Sequence, residues 1–184
     1  MIELIALAAA VLGIAVVVWA VLTYNHLVKL SQQVKNAWHQ IDVQLQRRHD
    51  LIPNLVEAVK GYMKHEKETL EEITKLRAAI VSGTPAERAS ANERLSSALK
   101  TIFAVAENYP QLRASENFLK LQEELTTTEN RVAYARQAYN DSVYFYNTAI
   151  AIMPNNLLAM LLGMKEQEFF STEQSSREAP KVKI

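Results

Sequence analysis

A long apolar run near the N-terminus limits the fold more than any other feature of this sequence. Residues 4–22 contain no charged or strongly polar side chain. A helix of that length, at about 1.5 Å per residue, nearly crosses a hydrocarbon core of about 30 Å. Trp19 and Tyr24 fall where such a helix leaves the lipid, a position that suits amphipathic aromatic rings. The sequence therefore predicts a single transmembrane anchor over residues 1–23.

A cleaved signal peptide is the main alternative for this run. The initial "MIE" offers no basic n-region, and the run is long for an h-region, so an uncleaved anchor is favoured. Lys29 and Lys35 follow the run, whereas no Lys or Arg precedes it. By the positive-inside rule we expect the N-terminus outside and the rest of the chain in the cytoplasm.

The charge balance and the cysteine count exclude several classes of function. Lys plus Arg and Asp plus Glu each number 20, so no net field gathers nucleic acid, and we expect no nucleic-acid partner. The chain has no cysteine, which excludes disulfides, thiolate metal sites and cysteine nucleophiles. Its four glycines lie far apart, so no glycine-rich loop can cradle a phosphate.

Beyond the anchor the sequence predicts only helices. Strand-like alternation is absent, and Ala, Leu, Gln, Glu, Lys and Arg dominate. The predicted fold is all-α, with the transmembrane helix continuous with an antiparallel four-helix bundle over residues 24–153. The predicted helices cover residues 24–48, 51–81, 85–106 and 115–153, followed by a short apolar helix over 154–170 and a disordered tail over 171–184.

The stretch "RRHDLIPNLVE" (47–57) is interpreted as a corner between the first two helices of the bundle. Asp50 is a residue type typical of an N-cap, and Pro53 follows where its missing N–H falls among the unsatisfied donors of a first turn. Two arrangements stay open: a hairpin, or a kink within one rod of nearly sixty residues. The hairpin is favoured because an amphipathic rod must bury its apolar stripe.

Two groups of residues are candidates for contact with other molecules. A candidate contact surface lies at the corner, where helix capping and charge pairing compete with a binding role. A second, apolar group follows the bundle; it either caps the open end of the bundle or docks on a neighbouring subunit or a lipid surface. The first group is Arg47, Arg48, Asp50, Asn54 and Glu57, and the second is Leu157, Leu158, Met160, Leu161, Leu162, Phe169 and Phe170.

No pattern of catalytic or metal-ligating residues occurs in the sequence. The four histidines include no pair at i, i+4 spacing, and none has a glutamate three residues before it. No serine nucleophile elbow is present. We therefore expect no enzymatic activity, no metal and no cofactor.

Several long motifs resemble the LemA family of bacterial membrane-anchored proteins. They include "YNHLVKL", "AWHQIDVQLQRRHDLIPNLVEAVKGY", "HEKETLEEI", "YPQLRASENFLKLQEEL", "TENRVAYARQAYNDSVYFYN" and "PNNLLAMLLGM". The resemblance covers nearly everything between the span and the tail. It implies a transmembrane helix followed by a four-helix bundle in the bacterial inner (cytoplasmic) membrane, with no known enzymatic activity and no established ligand.

The resemblance also suggests partners. A magnetosome membrane protein belongs to the same family, which implies a role in organising a membrane compartment. Association of the family with membrane zinc metallopeptidases implies a possible membrane protein partner. The expected function is therefore a non-catalytic membrane scaffold that forms homo-oligomers or organises a complex, the alternative being an adaptor or sensor that binds a membrane protein or a small ligand through the bundle.

Overall fold

The described part of the chain is built from helices alone. A computed structural model describes residues 1–63 and 65–170, and no described residue lies in a β-strand. The predicted all-α class is therefore confirmed, whereas the tail predicted over 171–184 lies outside the described residues. The helices are α1 (Ile2–Lys60), α2 (Lys67–Ala79), α3 (Pro85–Ala106), α4 (Pro110–Arg113), α5 (Glu116–Ala151) and α6 (Asn155–Leu161).

The apolar run forms the beginning of α1. An 18-residue window within this helix has a mean hydropathy of 2.8, and none of its residues is buried by protein. Every side chain from residue 1 to residue 18 is exposed. A helix with this length and composition can cross a membrane, and an uncovered apolar surface of this size is costly in water. The segment therefore indicates a membrane-anchored protein.

The corner expected near Asp50 is wrong, because α1 continues through Pro53 and ends only at Lys60. Asp50 does not cap a helix; its carboxylate accepts a hydrogen bond of 3.0 Å from Gln46 Nε2. An interior proline costs about 3 kcal/mol, whereas burying one large aliphatic side chain contributes about 1.5–3 kcal/mol. The helical residues around Pro53 with fully buried side chains are Leu45, Ile52, Leu55 and Val59. The free energy gained by burying these side chains outweighs the cost of Pro53 inside the helix.

The boundary between the first two predicted helices therefore moves along the chain. Helix α2 begins at Lys67, sixteen residues after the expected start of the second helix at 51. The alternative of one rod over 24–81 does not occur either, since the chain leaves the helix at Lys60. Glycine directly after Lys60 has a low helix propensity, which favours an end there.

The start of α3 follows the signal "SGTPAE". Thr84 is the N-cap and Pro85 the first helical residue. Thr84 Oγ1 accepts a hydrogen bond from the Glu87 N–H at 3.3 Å, and the Thr84 N–H donates to Glu87 Oε2 at 2.7 Å, which is a capping box. Gly83 adopts φ +96°, and a Cβ placed there would lie 2.6 Å from Glu87 Oε2. Glycine at this position therefore serves both the turn and the cap.

The last helices are shorter than expected. The long helix over 115–153 is observed as α5, Glu116–Ala151, and the apolar helix over 154–170 is observed only as α6, Asn155–Leu161. Gly163, with φ +65°, follows α6 in the left-handed conformation that commonly ends a helix. Residues 164–170 have no regular secondary structure.

The described residues divide into two compact units. The anchor unit comprises Met1–Ala37 and Asn140–Gln167, and the core unit comprises Trp38–Tyr139 with residues 168–170. The helices α1 and α5 contribute to both units. Each unit has its own buried side chains.

Apolar side chains from four helices fill the interior of the core unit. Phe103 of α3 and Phe118 of α5 pack edge to face at 6.1 Å between ring centroids. The three- and four-residue spacing of the buried positions is that of packed helices. These positions include Ile41, Leu45, Ile52 and Leu55 in α1, Leu70, Ile73 and Leu76 in α2, Leu95, Leu99 and Ile102 in α3, and Phe118, Leu125 and Val132 in α5.

Candidate interaction surfaces

The five residues of the predicted contact surface do not share one surface. Arg48 is buried, with an exposed fraction of only 2%, whereas Asp50, Asn54 and Glu57 are exposed. Its position explains this difference, because Arg48 follows Leu45 by three residues and precedes Ile52 by four, so it lies on the buried face of α1. The assignment of Arg48 to a contact surface is therefore wrong.

Arg48 binds side chains from two other helices of the core unit. Its Nη1 lies 2.5 Å from Glu129 Oε2, and it donates to Asn92 Oδ1 at 2.6 Å and to Ser96 Oγ at 3.1 Å. Ser96 Oγ also lies 2.7 Å from Glu129 Oε2. Burial lowers the pKa of the Arg48 guanidinium, and the Glu129 charge opposes that effect. An arginine remains charged in proteins, so this group is a buried cation with one fixed counter-ion.

A small cavity lies beside the ion pair of Arg48 and Glu129. Its volume is about 190 Å³, which is below the roughly 300–1,000 Å³ typical of ligand pockets. Both charged partners of the ion pair face it, together with apolar side chains. The lining residues are Arg48, Ser96, Leu99, Lys100, Phe103, Leu125, Thr126 and Glu129. The size of the cavity and the pairing of Arg48 with Glu129 favour a structural role for this cluster.

Three exposed members of the predicted surface lie at or beside a groove between α1 and α5. Asn54 and Glu57 line it from α1, and Arg47 lies 3.7 Å from Glu124, a lining residue of α5. The groove has a volume of about 620 Å³ and is lined by Leu51, Asn54, Glu57, Ala58, Asn117, Lys120, Leu121 and Glu124. It therefore carries two carboxylates, an ammonium group and two amides on an open face.

Asp50 lies outside the residues that line this groove. Its carboxylate is bonded within α1, to Gln46 Nε2 at 3.0 Å and with His49 Nδ1 also at 3.0 Å. The hydrogen bond with His49 is the main reason that the pKa of Asp50 is lowered, with Gln46 and the charges of His49 and Arg77 adding to it. Asp50 is therefore an exposed, locally paired carboxylate.

A cluster around Trp38 in the core unit was not anticipated from the sequence. The guanidinium of Arg88 lies 4.8 Å from the Trp38 ring centre, a cation–π distance, and Arg88 Nη2 lies 2.6 Å from Asp42 Oδ1. The Arg88 Nε–H donates to the Ile80 carbonyl at 3.1 Å. One signal could have revealed Arg88: it lies four and seven residues before Asn92 and Leu95, on the face of α3 that is buried.

The segment after Gly163 returns to this cluster. The Tyr139 hydroxyl donates to the Glu168 carbonyl at 2.7 Å, and the Phe170 ring lies 5.9 Å from the Trp38 ring. Burial is the main reason that the pKa of Tyr139 is raised, with the Glu168 charge adding to it. Phe170 is buried, so its assignment to an assembly or lipid contact is wrong, whereas its neighbour Phe169 is exposed. We call residues 168–170 the strap.

The other residues of the apolar group belong to the anchor unit and point outward. Met160 and Leu161 are 78% and 82% exposed, Leu157 and Leu162 are also exposed, and Leu158 is partly covered. In α6 only Ala159 is buried. These side chains therefore form an uncovered apolar surface.

Comparison with known proteins places the chain within a family. The family model described as "LemA family" matches residues 37–184, which is most of the chain. The chain belongs to the LemA family.

Curated relatives of this LemA-family chain have about 25% sequence identity to it over the aligned residues. Magnetosome protein MamQ of Magnetospirillum gryphiswaldense is 25% identical over 184 residues, covering 85% of this chain and 68% of the relative. Magnetosome protein MamQ 2 of Paramagnetospirillum magneticum is 24% identical over the same shares. Protein LemA of Metamycoplasma hominis is 25% identical over 158 residues, covering 83% of this chain and 71% of the relative.

Within residues 1–63 and 65–170, no three His, Cys, Asp or Glu side chains come together in a way that could hold a metal ion. The surfaces described above are instead built from paired charges, amides and apolar side chains. Such groups are typical of contacts with proteins and lipids.

Proposed function

We propose that this chain is a non-catalytic, membrane-anchored scaffold that works by assembling with copies of itself. The observation that carries the proposal is the groove lined by Glu57 and Lys120, an open face with both signs of charge. The buried cations of the same unit, Arg48 and Arg88, are already paired with carboxylates. Anchoring by α1 confines the copies to a plane and raises their effective concentration, so weak contacts suffice for assembly.

The proposed architecture is an antiparallel four-helix bundle formed by α1, α2, α3 and α5 within the core unit. Arg48 and Arg47 of α1 contact Glu129 and Glu124, whereas Trp38 contacts Tyr139, so rising numbers in α1 meet falling numbers in α5. This order supports antiparallel helices with short connections.

Contacts of α2 and α3 fit the same architecture. Arg88 contacts Asp42 and Asn92 contacts Arg48, so numbers in α1 and α3 rise together. Arg94 of α3 binds Glu72 of α2 at 2.9 Å, whereas Arg88 binds the carbonyl of Ile80. Numbers in α2 and α3 therefore run in opposite directions, as neighbours joined by a short loop should.

The charge pattern of the groove suits a symmetric contact between two copies. In a two-fold interface each surface meets itself, so Lys120 on one copy can face Glu57 on the other, and the reverse pair forms as well. Asn54 and Asn117 supply amide donors and acceptors on the same surface. Exposed ion pairs contribute little singly, but they fix the orientation of an interface.

A charge-swap experiment tests this proposal. Glu57→Lys and Lys120→Glu should each reduce the assembled fraction of the full chain in mild detergent, measured by mass photometry, and the double variant should restore it. Both residues are exposed, so circular dichroism should show an unchanged fold. Glu71→Lys, at an exposed position of α2 outside this groove, is the matched control. Assembly that survives both single variants would contradict the proposal.

The adaptor function predicts a different outcome of the same experiment. If the groove binds a different membrane protein, such as a zinc metallopeptidase, the single variants should lose that partner in a pull-down from membranes and the double variant should not regain it. The amides Asn54 and Asn117 favour this reading, since they can bind a partner without charge complementarity. Monomeric wild-type protein in detergent would favour the adaptor.

We further propose that the chain lies in the bacterial cytoplasmic membrane with its N-terminus outside and the core unit in the cytoplasm. Lys29 and Lys35 follow the span, which supports this orientation. The chain has no cysteine, so single reporters can be placed freely. In intact cells a membrane-impermeant maleimide should label Ile2→Cys but not Tyr134→Cys, and the opposite labelling would reverse the orientation.

A further inference from the structure

Most of the C-terminal part of the anchor unit is uncharged. Residues 142–164 contain no Asp, Glu, Lys, Arg or His, although much of this segment is exposed. The large apolar side chains left uncovered in it are Tyr144, Phe145, Ile152, Met153, Leu157, Met160, Leu161 and Leu162. Soluble proteins rarely expose so contiguous an apolar stretch of sequence, and a stretch of this kind marks a contact with another apolar phase.

The burial pattern of α1 places this segment relative to the lipid. Residues 1–18 are exposed, Trp19 and Ala20 are partly covered, and Thr23 is buried. In the anchor unit, the described residues other than 1–37 are 140–167, and the first covered positions of α1 are Trp19, Ala20 and Thr23. Trp19 and Tyr24 are also the aromatic residues expected where the span leaves the hydrocarbon. The covering of α1 within the anchor unit therefore begins at the level of the lipid headgroups.

Short contacts fix the course of the segment within the anchor unit. Asn147 Nδ2 donates to the Gln167 carbonyl at 3.0 Å, and the Gln167 N–H donates to Asn147 Oδ1 at 2.9 Å. The chain thus leaves α5 beyond Asn147, passes through α6 and comes back to Asn147. Ala159 is buried while Met160 and Leu161 are exposed, so α6 has a covered side and an open side.

We infer that α6 and the preceding end of α5 form a second membrane contact, in which the open apolar side rests in the lipid interface beside the span. The occupant is a lipid surface, because α1 first becomes covered where the span leaves the hydrocarbon, and because residues 142–164 carry no charge that would have to be desolvated. Residues 142–164 contain no basic side chain, so their contact recognises the apolar–headgroup boundary rather than an anionic headgroup. The inference rests on the anchor of the proposed function and not on self-assembly.

Lipid-borne quenching tests this contact in the full chain. Leu161→Cys is labelled with an environment-sensitive dye and reconstituted at one copy per nanodisc, with a doxyl group near the headgroup of the phosphatidylcholine. The dye at 161 should emit at shorter wavelength and be quenched several-fold more strongly than the same dye on Tyr134→Cys. Tyr134 is a matched control, since it is 74% exposed and belongs to the core unit.

Two outcomes would overturn the inference. One is equal quenching at 161 and 134 in single-copy discs. The other is a dye at 161 that becomes shielded only when several copies share a disc, because the occupant would then be a second copy of the chain. A second position, Leu157→Cys, guards against local distortion by the dye and should behave like 161. Failure here leaves the charge-swap result untouched, so the two proposals stand or fall separately.

Discussion

The anchor unit and the core unit place charge and apolar surface in opposite ways. In the core unit the cations Arg48 and Arg88 are buried, each held by a carboxylate. In the anchor unit, large apolar side chains such as Met160 and Leu161 are uncovered. The core unit thus buries charged groups, whereas the anchor unit exposes apolar ones. The difference is what the proposed placement requires, with water around the core unit and lipid around much of the anchor unit.

The comparison also shows what buried charge requires. Taking an arginine out of water costs several kcal/mol, which only a well-placed counter-ion and further hydrogen bonds offset. Arg48 has Glu129, Asn92 and Ser96 for this purpose, and Arg88 has Asp42 and the Ile80 carbonyl. The anchor unit needs no such arrangement over residues 142–164, because no charge is present there.

Removing the buried cation should give the largest effect. Arg48→Ala leaves Glu129, Asn92 and Ser96 without their donor and should lower the free energy of unfolding by about 3–4 kcal/mol. The neighbouring Arg47→Ala removes a half-exposed pair and should cost less than about 1 kcal/mol. Urea unfolding of the full chain in detergent, followed by circular dichroism, measures both. Equal losses would mean that the core unit does not depend on its buried charge.

Phe169 and Phe170, adjacent residues of the strap, give a second comparison between an exposed and a buried side chain. Phe170→Ala empties a buried site against Trp38 and should cost about 2 kcal/mol, somewhat below the range for a central phenylalanine because the end of the strap can relax. In a Trp19→Phe background the fluorescence of Trp38 should change as well. Phe169→Ala, at an exposed position, should leave both the stability and the spectrum nearly unchanged. Similar effects of the two substitutions would show that the strap does not pack in solution.

The helix cap tests whether the core unit behaves as a water-soluble fold. Thr84→Ala removes the acceptor for the Glu87 N–H and should lower the free energy of unfolding by about 1 kcal/mol. Thr84→Asp should recover most of that loss, since aspartate is an equally good N-cap. A Thr84→Ala variant as stable as the wild type in urea would show that the end of α3 is held by packing alone.

The pH dependence of the same cap should be the smallest effect. The hydrogen bond from the Thr84 N–H is the main reason that the pKa of Glu87 is lowered, and the Thr84 side chain adds to it. A lowered pKa means that the stabilisation is complete above the ordinary glutamate value of about 4.3 and is lost as pH falls through the lower value of the folded state. Glu87→Gln should therefore reduce the acid-dependent loss of stability, compared in parallel urea series. If Glu87→Gln loses as much stability at low pH as the wild type, the contribution of Glu87 to the cap is contradicted.

Local signals in the sequence were sufficient where neighbouring residues decide the structure. The uncharged run predicts the span, and Gly83, Thr84 and Pro85 predict the start of α3, because hydropathy and capping act over a few residues. Asp50 and Pro53 carry equally good local signals for a helix start, yet α1 continues past both. Burial of Ile52 and Leu55 against other helices decides that point, and such contacts are not visible in a local pattern.

The candidate surfaces show the same limit. Arg48 belongs to the predicted contact surface because it lies beside the expected corner, and only its partners on α3 and α5 explain its burial. Phe170 and Phe169 are adjacent and chemically identical, so nothing local could decide that one packs on Trp38 while the other is exposed. Asn54 and Glu57 entered the candidate contact surface because they lie near the expected corner, whereas the position of Lys120 beside them depends on the fold.

Arg48 also fixes the alignment of the helices that it joins. Sliding α5 by one turn along α1, about 5.4 Å, would still set aliphatic side chains against aliphatic side chains, so apolar packing distinguishes the two alignments only weakly. The same slide would carry Glu129 away from the guanidinium and strand a cation in the interior. A single charged residue thus selects one register of α5 along α1 among several that apolar packing alone would allow.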